Sequence, residues 1–128
     1  MIRVIPDTNV LVQLLTGDNK QQHDEAIQLF RKAEKREIVA IITPVVMAES
    51  CFVLASYYKK GVEEITTAME GLLSASWLEI EHQEAMRGMW GWYRKGMHFV
   101  DSYLLALQKY EGIEIVSFDK KLMKKSSI

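Results

Sequence analysis

Short apolar runs alternate along the chain with longer stretches in which apolar residues recur at helical spacing. Residues 2–5 predict a buried strand, and residues 10–15 predict a short helix that ends near Gly17. Residues 21–37 predict an amphipathic surface helix, because their apolar and charged positions separate onto two faces. Residues 39–43 are almost wholly apolar, which is typical of a parallel strand covered on both faces.

The same alternation continues to the end of the chain. It favours an α/β fold with a parallel sheet, because strands that alternate with helices are joined by crossovers. The pattern predicts further helices over residues 45–60, 62–75 and 83–95, and an apolar helix that has Asp101 in its first turn and ends at Gly112. It also predicts a short strand or extended segment over residues 77–80 and a last strand over residues 113–116.

Composition narrows the class of protein. Of the 128 residues 48% are apolar, which indicates a globular chain, and no apolar run is long enough to span a membrane. The single cysteine, Cys51, excludes an internal disulfide and a cysteine-built zinc site. The N-terminus passes straight into a strand-like pattern, so we expect a cytoplasmic protein. A net charge of −1 argues against coating nucleic acid by bulk charge but is compatible with a nuclease.

Four acidic residues occupy notable places in the predicted elements. Asp7 and Asp119 each follow a predicted strand, Asp101 lies in the first turn of an apolar helix, and Glu49 lies in an apolar stripe of the helix after Pro44. Each has a purely structural explanation when taken alone. Asp7 could cap the next helix, Asp101 could complement the helix dipole, and Glu49 could reach water at a rim.

Together the four acids point to a metal site. Parallel strands place Asp7 and Asp119 at the same edge of the sheet, and helices that begin there bring Asp101 and Glu49 towards it. Carboxylates gathered in this way repel one another, and a divalent cation removes the repulsion. Mg²⁺ and Mn²⁺ favour oxygen ligands, whereas zinc is a poor fit without cysteine clusters or helical histidine pairs.

The pattern resembles the PIN-domain family and, more closely, the small VapC-type toxins of toxin–antitoxin pairs. The matching segments are Pro6-Asp7-Thr8-Asn9, Val46-Met47-Ala48-Glu49, Phe99-Val100-Asp101 and Ser117-Phe118-Asp119-Lys120. The resemblance implies a single three-layer α/β/α domain over residues 1–128, with a mainly parallel sheet of four or five short strands. It also implies an endoribonuclease that depends on Mg²⁺ or Mn²⁺, forms a homodimer and is silenced by a cognate antitoxin in its active-site groove.

The resemblance also implies a role for each matching residue. Asp7 and Asp101 would be the principal metal ligands, Asp119 would lie close by, and Glu49 would bind a second metal or orient the attacking water. The chemistry would be metal-assisted phosphodiester hydrolysis that leaves a 5′-phosphate and a 3′-hydroxyl. Three polar residues would support the acids by hydrogen bonds: Thr8, Asn9 and Ser117.

Two other functions remain open. A phosphoryl-transfer protein would use Asp7 as its phosphate acceptor, although Asn9 poorly fills the place of its second acid. A non-catalytic interaction module would use the large side chains of residues 86–97, which we expect to form a partly exposed contact surface. The sequence does not choose among the candidate phosphate contacts Lys120, Lys121, Arg87 and Arg94, and we expect His98 to be structural or solvent-facing.

Overall fold

The computed structural model describes residues 1–126 and shows an α/β protein with parallel strands. The α/β class predicted from the sequence is confirmed. The strands are β1 (Arg3–Val4), β2 (Val39–Ile42) and β3 (Glu79–Ile80), and the helices are α1 (Thr8–Thr16), α2 (Lys20–Glu34), α3 (Pro44–Ser56), α4 (Val62–Leu73), α5 (Gln83–Gly88), α6 (Trp90–Arg94), α7 (Phe99–Glu111) and α8 (Lys120–Ser126).

The chain divides into two compact units, Met1–Glu81 and a second unit that begins at His82. The first unit contains the sheet, in the order β1-β2-β3. Arg3 pairs with Val39 and Ile42 pairs with Ile80, both in parallel register. The helices α1 and α2 connect β1 to β2, and α3 and α4 connect β2 to β3, as parallel pairing requires.

The sheet is smaller than predicted. We expected four or five strands, but residues 1–126 contain three, and residues 113–116 form no strand. A strand needs a neighbour for its backbone hydrogen bonds and a cover for its apolar face. Ile113 and Val116 have no such cover, since they are 49% and 93% exposed. The predicted burial of the first strand was also wrong, because Ile2 and Ile5 are exposed.

Local sequence explains the helix boundaries in the first unit. Pro44 occupies the first turn of α3, as predicted, and Thr43 caps that helix by accepting a hydrogen bond from the Val46 N–H. α1 ends at Gly17, whose φ of +66° suits a glycine. Asn19 then caps α2 by accepting a hydrogen bond from the Gln22 N–H. The core of this unit includes Leu11, Phe30, Ala40, Ile42, Met47, Cys51, Leu54, Ile65, Met69 and Leu73.

The helix predicted over residues 83–95 is broken into α5 and α6 at Met89. Gly88 ends α5 in close contact with Tyr110, and a Cβ at this position would overlap the Tyr110 ring. The expected contact surface over residues 86–97 was largely wrong. Met86, Met89 and Trp90 are buried in the core of the second unit, and the Trp90 ring packs edge-on against Phe99.

None of the helices in residues 1–126 combines the length and apolar character needed to cross a membrane.

Candidate active site

Asp7 is both a helix cap and an exposed acid. It follows the buried Pro6, and its backbone is extended, with φ −82° and ψ −179°. Its Oδ1 accepts a hydrogen bond of 3.0 Å from the Val10 N–H, so the capping role considered from the sequence is real. The cap uses Oδ1, and the side chain stays exposed to solvent. Capping therefore leaves a negative charge available at the start of α1.

Glu49 lies on the solvent-facing side of α3. The sequence placed it within an apolar stripe and left open that its carboxylate could reach water at a rim. The structure agrees with this alternative, because Glu49 is exposed and Val45 and Phe52 on the same side are 77% and 69% exposed. The buried face of α3 consists instead of Met47, Ser50, Cys51 and Leu54. Water therefore solvates the Glu49 carboxylate, and its charge carries little desolvation penalty.

Asp7 and Glu49 line one cleft of the first unit, with a volume of about 480 Å³. We call it the first cleft. Thr8 and Asn9 also line it, so four of the predicted site residues meet there. The Asn9 side-chain amide donates a hydrogen bond to Gln22 Oε1 at 3.2 Å, which attaches it to α2.

Two further residues line the first cleft that were not predicted from the sequence, Asp18 and Tyr58. The Tyr58 hydroxyl donates a hydrogen bond of 3.0 Å to Asp18 Oδ2. Partial burial, followed by the interaction with Asp18, raises the pKa of Tyr58 above its ordinary value of 10.0. The two residues are 40 positions apart, and no local pattern pairs them.

Asp101 and Asp119 line a cleft of the second unit, with a volume of about 240 Å³. We call it the second cleft. Asp101 is half-buried in the first turn of α7, where its charge complements the helix dipole. Asp119 Oδ1 accepts hydrogen bonds from the Lys121 N–H at 2.9 Å and the Leu122 N–H at 3.2 Å. Both acids therefore combine a structural role at a helix start with a place in the cleft.

Ser117 supports Asp119 through the backbone. Its Oγ accepts a hydrogen bond of 2.9 Å from the Asp119 N–H. His98, which we expected to be structural or solvent-facing, is exposed and lines the second cleft together with Lys95, Lys121 and Lys125. The second cleft is thus lined by acidic and basic side chains.

The donor atoms in both clefts suit a hard cation. The acids offer carboxylate oxygens, and Thr8 and Asn9 add hydroxyl and amide oxygens in the first cleft. Over residues 1–126, no group of three or more His, Cys, Asp or Glu side chains is arranged to hold a metal ion. Mg²⁺ is commonly held by only one or two carboxylates, with water and substrate phosphate as its other ligands. Paired carboxylates therefore fit Mg²⁺ or Mn²⁺.

Comparison with known families identifies the fold. The sequence profile of the PIN domain matches residues 4–127. The chain belongs to the PIN-domain family. This match runs through both units and includes Asp7, Glu49, Asp101 and Asp119. PIN domains are generally nucleases and usually use divalent metals, so membership supports a nucleic-acid hydrolase. No match was found among curated proteins or among solved structures.

Proposed function

We propose that this PIN domain is a cytoplasmic endoribonuclease that depends on Mg²⁺ or Mn²⁺, and that it is the toxin of a type II, VapBC-type toxin–antitoxin pair. One observation carries the nuclease proposal. In a chain of the PIN family, the four predicted acids lie at element ends or on a solvent-facing helix surface, and each lines a cleft. We further propose that residues 1–128 act as a single domain and that all four carboxylates are required for cleavage.

The proposed roles follow from the chemistry of the side chains. When bound, Mg²⁺ or Mn²⁺ would supply a more acidic water and would offset the negative charge of the phosphodiester. Asp7 and Asp101 would each be a principal metal ligand, and Asp119 would support Asp101 in the second cleft. Glu49 would bind a second ion or orient the attacking water, and its exposure keeps that carboxylate accessible. The products would be a 5′-phosphate and a 3′-hydroxyl.

The three polar residues would support the acids in different ways. Ser117 fixes the turn that carries Asp119, since its hydroxyl accepts the Asp119 N–H. Thr8 opens α1 directly after Asp7, and Asn9 links α1 to α2 through Gln22. Such supporting residues typically change activity by about 10- to 100-fold when they are removed. Ser117→Ala should therefore weaken cleavage less than Asp119→Asn does.

Cleavage of labelled single-stranded RNA by the purified chain tests the proposed function. We expect activity with Mg²⁺ or Mn²⁺, none in excess EDTA, and products that end in a 5′-phosphate and a 3′-hydroxyl. Activity that survives EDTA, or products with a 2′,3′-cyclic phosphate, would contradict the proposal. Incubation with an acyl phosphate is a useful companion assay, because a phosphorylated Asp7 would favour the phosphoryl-transfer alternative.

The partner proposals rest on exposed apolar surface. Val45 and Phe52 project into solvent from α3, and such surface is typical of contact regions. We propose that the protein is a homodimer and that it binds a cognate antitoxin. Light scattering should give twice the chain mass for the wild type and the chain mass for Phe52→Asp. A monomeric wild type would refute the dimer. The antitoxin proposal would be refuted if the protein encoded by the neighbouring reading frame does not inhibit cleavage.

A further inference from the structure

The four lysines of α8 fall into two pairs. Lys121 and Lys125, which are four residues apart on one side of the helix, line the second cleft. Lys120 and Lys124 are exposed but do not line it. Lys95, which follows α6, is a third cationic residue of the cleft. Three ammonium groups therefore outnumber the two carboxylates there.

These lysines are available to bind an anion. Within the described part of the second unit, no carboxylate forms an ion pair with Lys95, Lys121 or Lys125. A lysine ammonium binds phosphate as a point charge and fixes the position of a nucleic-acid backbone without reading its sequence. The cleft thus combines acids that suit a metal with cations that suit the phosphates of a bound strand.

An exposed aromatic residue is the chain neighbour of one acid of this cleft. Phe118 precedes the cleft residue Asp119 and is fully exposed, and it belongs to the irregular segment between α7 and α8. Because its side chain is fully exposed, the ring is accessible to a ligand. Proteins that bind single-stranded nucleic acid combine two features. Cationic side chains follow the phosphate backbone, and aromatic rings stack on the bases.

We propose that Phe118 is a base-stacking residue for a single-stranded RNA whose phosphates contact Lys95, Lys121 and Lys125. The inference rests on the proposed ribonuclease function and adds a selectivity that the four acids do not supply. In a duplex each base is already stacked on its neighbours, so its faces are closed to Phe118. The lysines attract both forms of RNA, whereas Phe118 favours the strand with unpaired bases.

Binding in EDTA tests this proposal without cleavage. Fluorescence anisotropy of the full chain would compare a labelled single strand with the same strand in a duplex. Phe118→Ala should weaken single-strand binding about 5- to 150-fold and leave duplex binding unchanged, because stacking acts on the unpaired base alone. Phe118→Trp should bind as tightly as the wild type. Phe118→Leu, which keeps the apolar volume without an aromatic face, should behave like Phe118→Ala.

Two matched controls separate stacking from other effects. Val116→Ala alters another strongly exposed apolar residue of the same segment and should leave binding unchanged. Lys121→Ala and Lys125→Ala should weaken both forms of RNA and should each reduce the slope of log affinity against log salt by about 0.7 for the single strand. Lys120→Ala and Lys124→Ala should reduce that slope much less.

Three results would overturn the proposal: wild-type affinity in Phe118→Leu, equal losses in Phe118→Ala and Val116→Ala, or a change of oligomeric mass in Phe118→Ala that accounts for the lost affinity. The last result would assign the exposed ring to a protein contact. Failure of the ribonuclease proposal is recognised separately, since it appears in the cleavage assay with metal and not in anisotropy with EDTA.

Discussion

Asp7 offers the clearest separation of structural and catalytic roles. Its Oδ1 caps α1 through the Val10 N–H, and its charge lines the first cleft beside Glu49 and Asp18. Asparagine caps a helix about as well as aspartate, whereas alanine cannot accept the hydrogen bond. Asp7→Asn therefore removes the charge and keeps the cap, and Asp7→Ala removes both.

The expected magnitudes differ between stability and activity. Loss of an N-cap side chain costs about 1 kcal/mol, so Asp7→Ala should unfold about 3–5 °C below the wild type for a chain of this size. In Asp7→Asn the lost dipole interaction opposes the relief of repulsion from Glu49 and Asp18, so its free energy of unfolding should stay within about 0.5 kcal/mol of the wild type. Cleavage should fall at least about 100-fold in both variants, because a metal ligand contributes several kcal/mol to the transition state.

The assay pairs thermal unfolding in EDTA with RNA cleavage in Mg²⁺. Asn19→Ala is the matched control, since Asn19 caps α2 in the same way through the Gln22 N–H but lines neither cleft. It should lose about 1 kcal/mol of stability and keep its activity. Full cleavage by Asp7→Asn would refute the catalytic role. Equal destabilisation of Asp7→Asn and Asp7→Ala would show that the charge, and not the cap, stabilises α1.

Three further predictions concern the first unit. Thr66 Oγ1 is buried without a hydrogen-bond partner among the described residues, so Thr66→Val should raise the free energy of unfolding by about 1–2 kcal/mol in urea titration, and a decrease would contradict it. Gly17→Ala should lower the free energy of unfolding by about 1 kcal/mol in thermal unfolding, because the residue has a φ of +66°. Gly71→Ala should raise the free energy of unfolding, because the position lies within α4 and an added Cβ would meet nothing nearby. The reverse order of stabilities would contradict this account. Because the pKa of Tyr58 is raised in the folded state, the protonated hydroxyl contributes stability below pH 10, and this contribution is lost as the pH rises through the folded-state pKa. Asp18→Asn should lower the pKa of Tyr58 in a tyrosinate absorbance titration, in which Tyr58→Phe identifies the signal of this residue. An unchanged pKa would contradict the prediction.

Local chemistry made much of the fold predictable. Pro44, Gly17 and the acid at position 7 mark helix boundaries by mechanisms that act within a few residues, and the structure has each of them where the sequence indicates. The alternation of strands and helices was enough to predict a parallel sheet. The four acidic motifs, taken in order, pointed to the PIN family that the profile match identifies.

The errors arose where the outcome depends on distant residues. Residues 113–116 have the apolar pattern of a strand, but pairing needs a neighbour that a local pattern does not provide. α3 is apolar nearly all round, so periodicity could not show that Val45 and Phe52 face solvent. The helix also breaks at Met89, and residues that we expected at the surface, such as Trp90, are buried in the core. The sequence also gave no signal for the contact between Asp18 and Tyr58.

The most direct test of the central claim is the rate of Mg²⁺-dependent RNA cleavage by Asp101→Asn beside the wild type. Asp101 lies in the first turn of α7, and no capping hydrogen bond is made by a side chain at the start of this helix among the described residues. The amide loses the interaction of the charge with the helix dipole, which is worth less than about 1 kcal/mol, so the fold should stay intact. We predict that cleavage falls at least about 100-fold while the circular dichroism spectrum is unchanged. A variant that folds and cleaves RNA at the wild-type rate would contradict the claim that these carboxylates perform the chemistry.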